Sequence, residues 1–132
     1  MKFKICFSAL AAFLLPLAVA EATPVISEFM ASGSEAPADA DGNTPDWIEI
    51  HNPDQVPVNL SAYSLTDDQE NLQKWTFPEV TLEPQGYLIV FASGKDRREG
   101  EWHTNFELNG GGEFLAFSAP DGMILSEFTY PE

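Results

Sequence analysis

Apolar residues fall into two arrangements along this chain. From Ile5 to Val19 they are almost continuous, broken by Ser8 and Pro16. Beyond Ala22 they form short runs rich in β-branched and aromatic residues, each ended by Pro, Gly, Asn or Asp. The runs are Pro24 to Met30, Trp47 to His51, Val58 to Leu60, Tyr63 to Thr66, Lys74 to Phe77, Tyr87 to Ala92, Glu113 to Ser118 and Ile124 to Phe128. None keeps the three-to-four-residue period of an amphipathic helix, so each predicts a strand. Ile48 and Ile50 share one face of their strand, which turns His51 toward solvent or the rim. Tyr87 to Ala92 is apolar on both faces, as in a central strand covered on both sides.

The punctuation agrees. Pro84-Gln85-Gly86 predicts a type I turn, with Pro second and Gly fourth. Pro120-Asp121-Gly122 between two runs is a hairpin signal. Gly110-Gly111-Gly112 predicts a loop able to visit positive φ. Asp67-Asp68-Gln69-Glu70-Asn71 suits a polar hairpin tip, and Ala31 to Thr44, small, acidic and free of aromatics, is expected to be disordered. Short strands spaced by turns over about 100 residues predict an all-β antiparallel sandwich or barrel.

The first apolar run has another meaning. Lys2 and Lys4 precede it, and small residues follow at Ala18-Val19-Ala20 and Ala20-Glu21-Ala22. A basic start, an apolar stretch and an A-x-A site make residues 1–22 an expected signal peptide, cleaved after Ala20 or Ala22. A spanning helix needs about 20 apolar residues, more than are present here. The protein is therefore expected to be exported, to an extracellular, periplasmic or cell-surface location, with no membrane contact after cleavage. Cys6, the only cysteine, lies within the signal. The mature chain is expected to hold no disulfides and to depend on a core of Trp47, Trp75, Phe77, Phe91, Phe114 and Phe117.

Several segments together carry a family resemblance. They are Val25-Ile26-Ser27-Glu28-Phe29-Met30-Ala31, Asp46-Trp47-Ile48-Glu49-Ile50-His51-Asn52-Pro53, Val58-Asn59-Leu60-Ser61 with Tyr63-Ser64-Leu65-Thr66-Asp67-Asp68, and Lys74-Trp75-Thr76-Phe77-Pro78. Tyr87-Leu88-Ile89-Val90-Phe91-Ala92-Ser93-Gly94-Lys95-Asp96, His103-Thr104-Asn105-Phe106 and Gly112-Glu113-Phe114-Leu115-Ala116 complete the set. In this order they resemble the lamin tail domain, an immunoglobulin-like module that ends nuclear lamins and also occurs in secreted bacterial proteins, the closer likeness. The resemblance implies an immunoglobulin-like antiparallel β-sandwich over residues 23–132, serving as a non-catalytic interaction or adaptor module. Bacterial members usually run past the Tyr130-Pro131 region into a further short strand, so the domain is expected to lack its last strand and to leave a sheet edge open. The chain is then either a minimal protein or the N-terminal piece of a larger exported enzyme or anchored protein. The nuclear relatives' helical rod and lipid-modified terminal cysteine have no counterpart here.

Charge narrows the partners. With 21 acidic and 6 basic residues among 132, the formal net charge is −15. Its own field opposes docking on nucleic acid or an anionic membrane. A protein or an extracellular or cell-surface polymer remains as partner. No cofactor is expected, with one alternative. Asp39, Asp41, Asn43 and Asp46 alternate around Gly42 as calcium ligands would, and they suit equally a solvated Asx turn entering a strand. Their spacing departs from an EF-hand loop, with Ile50 where the bidentate acid should stand. Lys95, Arg97 and Arg98, in the loop Lys95 to Glu99, form the candidate binding rim together with Trp102. Trp102, read into a loop with His103, is either an exposed contact or a lid over the core. His51 and His103 are the only histidines, and no serine sits in a G-x-S-x-G elbow, so no catalytic residues are assigned.

Overall fold

The computed structural model describes residues 18–32 and 36–131. Lys2, Lys4, Cys6 and the apolar run up to Leu17 lie outside the described residues. Eleven strands follow in order: β1 (Val25–Met30), β2 (Asp46–His51), β3 (Val58–Asn59), β4 (Ser64–Thr66), β5 (Trp75–Thr76), β6 (Thr81–Leu82), β7 (Tyr87–Ala92), β8 (Arg97–Glu99), β9 (Glu101–His103), β10 (Glu113–Ser118) and β11 (Ile124–Tyr130). No helix occurs among the described residues.

Alternation along the strands divides core from surface. One sheet has the order β1-β2-β7-β9-β8 and the other β11-β10-β4-β5, with a small β3-β6 pair beside them. Ile48, Ile50 and Val90 from the first sheet meet Leu65, Trp75, Leu115 and Phe117 from the second, all fully buried. Phe77 stands edge-on to both Trp75 and Phe117, at centroid separations of 4.9 and 6.0 Å. Such rings contribute the large buried areas that replace disulfides in a small sandwich.

Both open sides of the sandwich are fastened. On one, the Ile26 N–H donates to Ser126 Oγ at 3.0 Å, and the Phe29 ring meets Phe128 and Tyr130. On the other, Arg98 Nε donates to the Thr76 carbonyl, and Trp75 Nε1 donates to Asp96 at 3.1 Å. β11 is the outer strand of its sheet, with β1 against it.

The structure corrects four expectations. Lys95 to Glu99 and the Trp102–His103 segment are not one long loop: β8 and β9 form a hairpin around Gly100, whose φ is +73°. β9 then runs parallel to β7 through Phe91 and His103, the one parallel pairing between the named strands. Residues 36–44 are docked rather than disordered, with Ala36 and Asp39 buried. The turn before β7 is type II rather than type I, since Gln85, third in the turn, has φ +60° and Gly86 N–H donates to the Glu83 carbonyl at 2.9 Å. Gln85 holds that strained position because its side-chain amide donates to the Pro53 carbonyl.

The predicted hairpin at Pro120-Asp121-Gly122 joins β10 to β11, Gly122 adopting φ +88°. Behind the turn at 84–86 stands Asn52, fully buried. Its amide donates to the carbonyls of Val56, Leu82 and Glu83 at 2.8, 3.2 and 3.2 Å, and its Oδ1 accepts from Asp54 N–H.

Candidate functional site

Residues that the sequence presents as two sites form one network in space. The Asp39 carboxylate is buried and closes an Asx turn, its Oδ1 accepting the N–H groups of Asp41 and Asn43 at 3.0 and 2.9 Å. Its other oxygen meets Lys95 Nζ at 2.5 Å, and Lys95 also reaches Asp41 Oδ2 at 2.7 Å. Arg97 pairs with the same Asp41 oxygen at 2.8 Å. The acidic loop thus lies on the β8–β9 hairpin, its charge met by the cations of the candidate rim. Asp46 stands apart and accepts from Ser32 N–H at 2.7 Å, while Asn43 enters through its backbone.

The cations govern protonation. The Lys95 hydrogen bond, with the backbone donors, holds the Asp39 carboxyl down to about 2 against burial. Asp41 is lowered by Lys95 and Arg97, and Lys95 is raised by its two carboxylates. A divalent cation seated on Asp39 and Asp41 would have to displace the ammonium already there.

His103 anchors the hairpin from beneath. It is fully buried on β9, with the Phe91 ring stacked on it at 5.2 Å. Nε2 lies 2.7 Å from Glu101 Oε1, and Nδ1 lies 2.7 Å from Ser93 Oγ. Glu101 is held ionised by the Ala40 N–H and then by His103, so it only accepts, and Nε2 of His103 donates to it. Ligand-type atoms of Asp39, Glu101 and His103 lie within 4.8 Å of one another. Each is committed to a partner in the protein. Ser93, His103 and Glu101 are linked in the hydrogen-bond order of a hydrolytic triad, with His103 fully buried and one ring face covered by Phe91. This geometry fastens loop to hairpin.

Arg98 completes the rim differently, pairing with Asp96 at 2.8 Å and lying over the Trp75 ring at 5.4 Å. Trp102 packs half-buried on the core and also lines a groove, so it is both lid and surface.

That groove, about 490 Å³, is bounded by Pro37, Tyr87, Leu88, Ile89, Glu101 and Trp102 among others. It arises because β9 touches β7 in register only at Phe91, leaving the first half of β7 without a strand on that side among the described residues. Tyr87, 60% exposed, stands at its mouth with its ring stacked on His51 at 4.1 Å. His51 Nδ1 donates to the Gly86 carbonyl, so this histidine sits half-buried at the rim. Sequence reasoning missed Tyr87 and Glu101 as site residues. The signals were there: Tyr87 heads the odd face of β7, and Glu101 and His103 are two apart and so share a face of β9.

Two sheets, an aromatic core and loops gathered on the β8–β9 hairpin define an immunoglobulin-like β-sandwich with a surface groove. The lamin tail domain family model matches residues 18–132, and the chain belongs to that family. None of the curated proteins matches it.

Proposed function

We propose that this lamin tail domain is an exported, non-catalytic interaction module that recognises another protein with the outer face of its five-stranded sheet. One observation carries this reading: an apolar groove floored by β7 and flanked by Trp102, with the exposed Tyr87 ring at its mouth. Tyrosine and tryptophan are favoured contact residues because they offer large area for few rotatable bonds. A rigid sheet, rather than a mobile loop, presents them. Export rests on the basic and apolar N-terminus with its A-x-A sites.

The test places a photo-crosslinking amino acid at Tyr87 and, separately, at Met123, 58% exposed on the β10–β11 turn. The exported protein is irradiated in its native secretions. Adducts at 87 and not at 123 are expected. Equal labelling at both, or none at 87, overturns the reading, and N-terminal sequencing of the same material should begin at Glu21 or Thr23.

A further inference from the structure

The groove is bounded by backbone as well as by side chains. Thr104 N–H donates to the Phe91 carbonyl at 2.8 Å, so Phe91 directs its polar groups away from β2. Backbone groups alternate sides along a strand, which sends those of Ile89 and Tyr87 the same way. The opposite phase agrees: the Gly86 carbonyl accepts from Asn52 N–H, beyond the β2 end of the register that pairs Leu88 with Ile50 and Val90 with Ile48. No strand pairs with the Tyr87–Val90 stretch on the groove side among the described residues. An unpaired strand edge beneath an apolar groove is the arrangement that strand addition requires.

Charge selects the occupant. Glu101 lines the groove, and Glu99 is exposed on the adjoining hairpin. Arg98 is engaged on Asp96, and Arg97 is shared between Asp41 at 2.8 Å and Glu101 at 3.8 Å, which leaves Glu99, among the described residues, as the unpaired carboxylate beside the groove. The groove is thus acidic at one end and apolar along its floor, in a chain of net charge −15. Resting on the interaction-module reading above, we infer that the partner enters as an extended segment that pairs with β7 at Tyr87 and Ile89 and alternates basic with apolar side chains. Its backbone would satisfy the free β7 groups, its apolar side chains would cover Leu88 and Trp102, and its basic ones would face Glu99.

The probe is a synthetic octapeptide alternating valine and lysine, titrated into the ¹⁵N-labelled full chain. Shift changes centred on the Ile89 and Tyr87 amides are expected, together with slowed exchange of the Ile89 amide. A valine–glutamate octapeptide should bind at least tenfold more weakly, as should the lysine peptide to the Glu99→Lys variant, which alters an exposed side chain and leaves the fold intact. Equal binding of the two peptides removes the charge argument. Binding that leaves Ile89 unmoved removes strand addition. Ile89 protection that grows with protein concentration alone assigns the groove to a second copy and overturns the inference. Crosslinks at Tyr87 in native secretions with no response to the lysine peptide would leave the interaction module standing and refute this partner chemistry.

Discussion

Replacing Asn52 by Asp should destabilise the domain in a pH-dependent way. Asn52 is fully buried and its amide faces three carbonyls, those of Val56, Leu82 and Glu83. The substitution is nearly isosteric, so packing is conserved while the donor becomes an acceptor. As a neutral acid the new side chain still offers one O–H, and the variant should cost only about 1 kcal/mol near pH 4, the worth of a net hydrogen bond. As a carboxylate it would set a buried charge against three carbonyl oxygens. Burial of this kind raises a carboxyl pKa by up to about 3–5 units. Holding the group neutral at pH 7, about three units above its unfolded value, costs about 1.36 kcal/mol per unit, or roughly 4 kcal/mol. The sign follows: a carboxyl raised in the folded state loses stability as pH climbs above its unfolded pKa. Urea unfolding of wild type and N52D at pH 4.5 and 7 measures this. The difference between the two proteins should widen by about 3 kcal/mol between those pH values. A difference that is small at pH 7, or flat with pH, would show that the carbonyl cage around Asn52 is not closed.

Three further outcomes follow from the geometry. Asp39 titrates at about 2 against an ordinary 3.8, so its pairing with Lys95 stabilises above pH 3.8 and is lost as pH falls toward 2; the stability gap between wild type and Asp39→Asn should shrink across that window, and a gap that does not change there contradicts the pairing. Thermal melts in calcium and in chelator should give the same midpoint, because Lys95 occupies the space between Asp39 and Asp41; a midpoint raised by calcium refutes this. Gly86→Ala would bring a Cβ to 2.9 Å from the Glu83 carbonyl oxygen, a backbone atom that cannot swing aside; a loss of about 1–3 kcal/mol is expected by chemical denaturation, and neutrality would mean that the turn yields freely.

What the sequence disclosed follows from which forces leave a pattern in one dimension. Strands with one apolar face, such as β2 with Ile48 and Ile50, announce themselves through alternation, and the aromatic positions Trp75, Phe77 and Phe117 lie where a core needs them. β8 and β9 left no such trace. Arg97, Arg98, Glu99 and Glu101 are held by cross-strand register and by ion pairs to a loop more than fifty residues earlier in the chain. The same distance hid the joining of Asp39 and Asp41 with Lys95 and Arg97. Each cluster alone looks solvated, and only the fold shows that one neutralises the other. Residues 36–44 look disordered for the same reason, since their docking depends on Lys95, on Glu101 and on the Trp47–Phe91 surface that Ala36 covers. The groove was hidden because it is a missing partner: nothing in the string Tyr87 to Ala92 says that β9 will meet it only at Phe91 and leave Tyr87 to Val90 open on that side.

Amide exchange along β7, followed residue by residue in the free domain and after adding the alternating valine–lysine peptide, tests the recognition surface most directly. In the free domain Leu88 and Val90, turned to β2, should be protected, while Ile89 exchanges orders of magnitude faster. With the peptide, Ile89 should slow selectively. An Ile89 amide as protected as Val90 in the free domain would contradict the open edge on which the account depends.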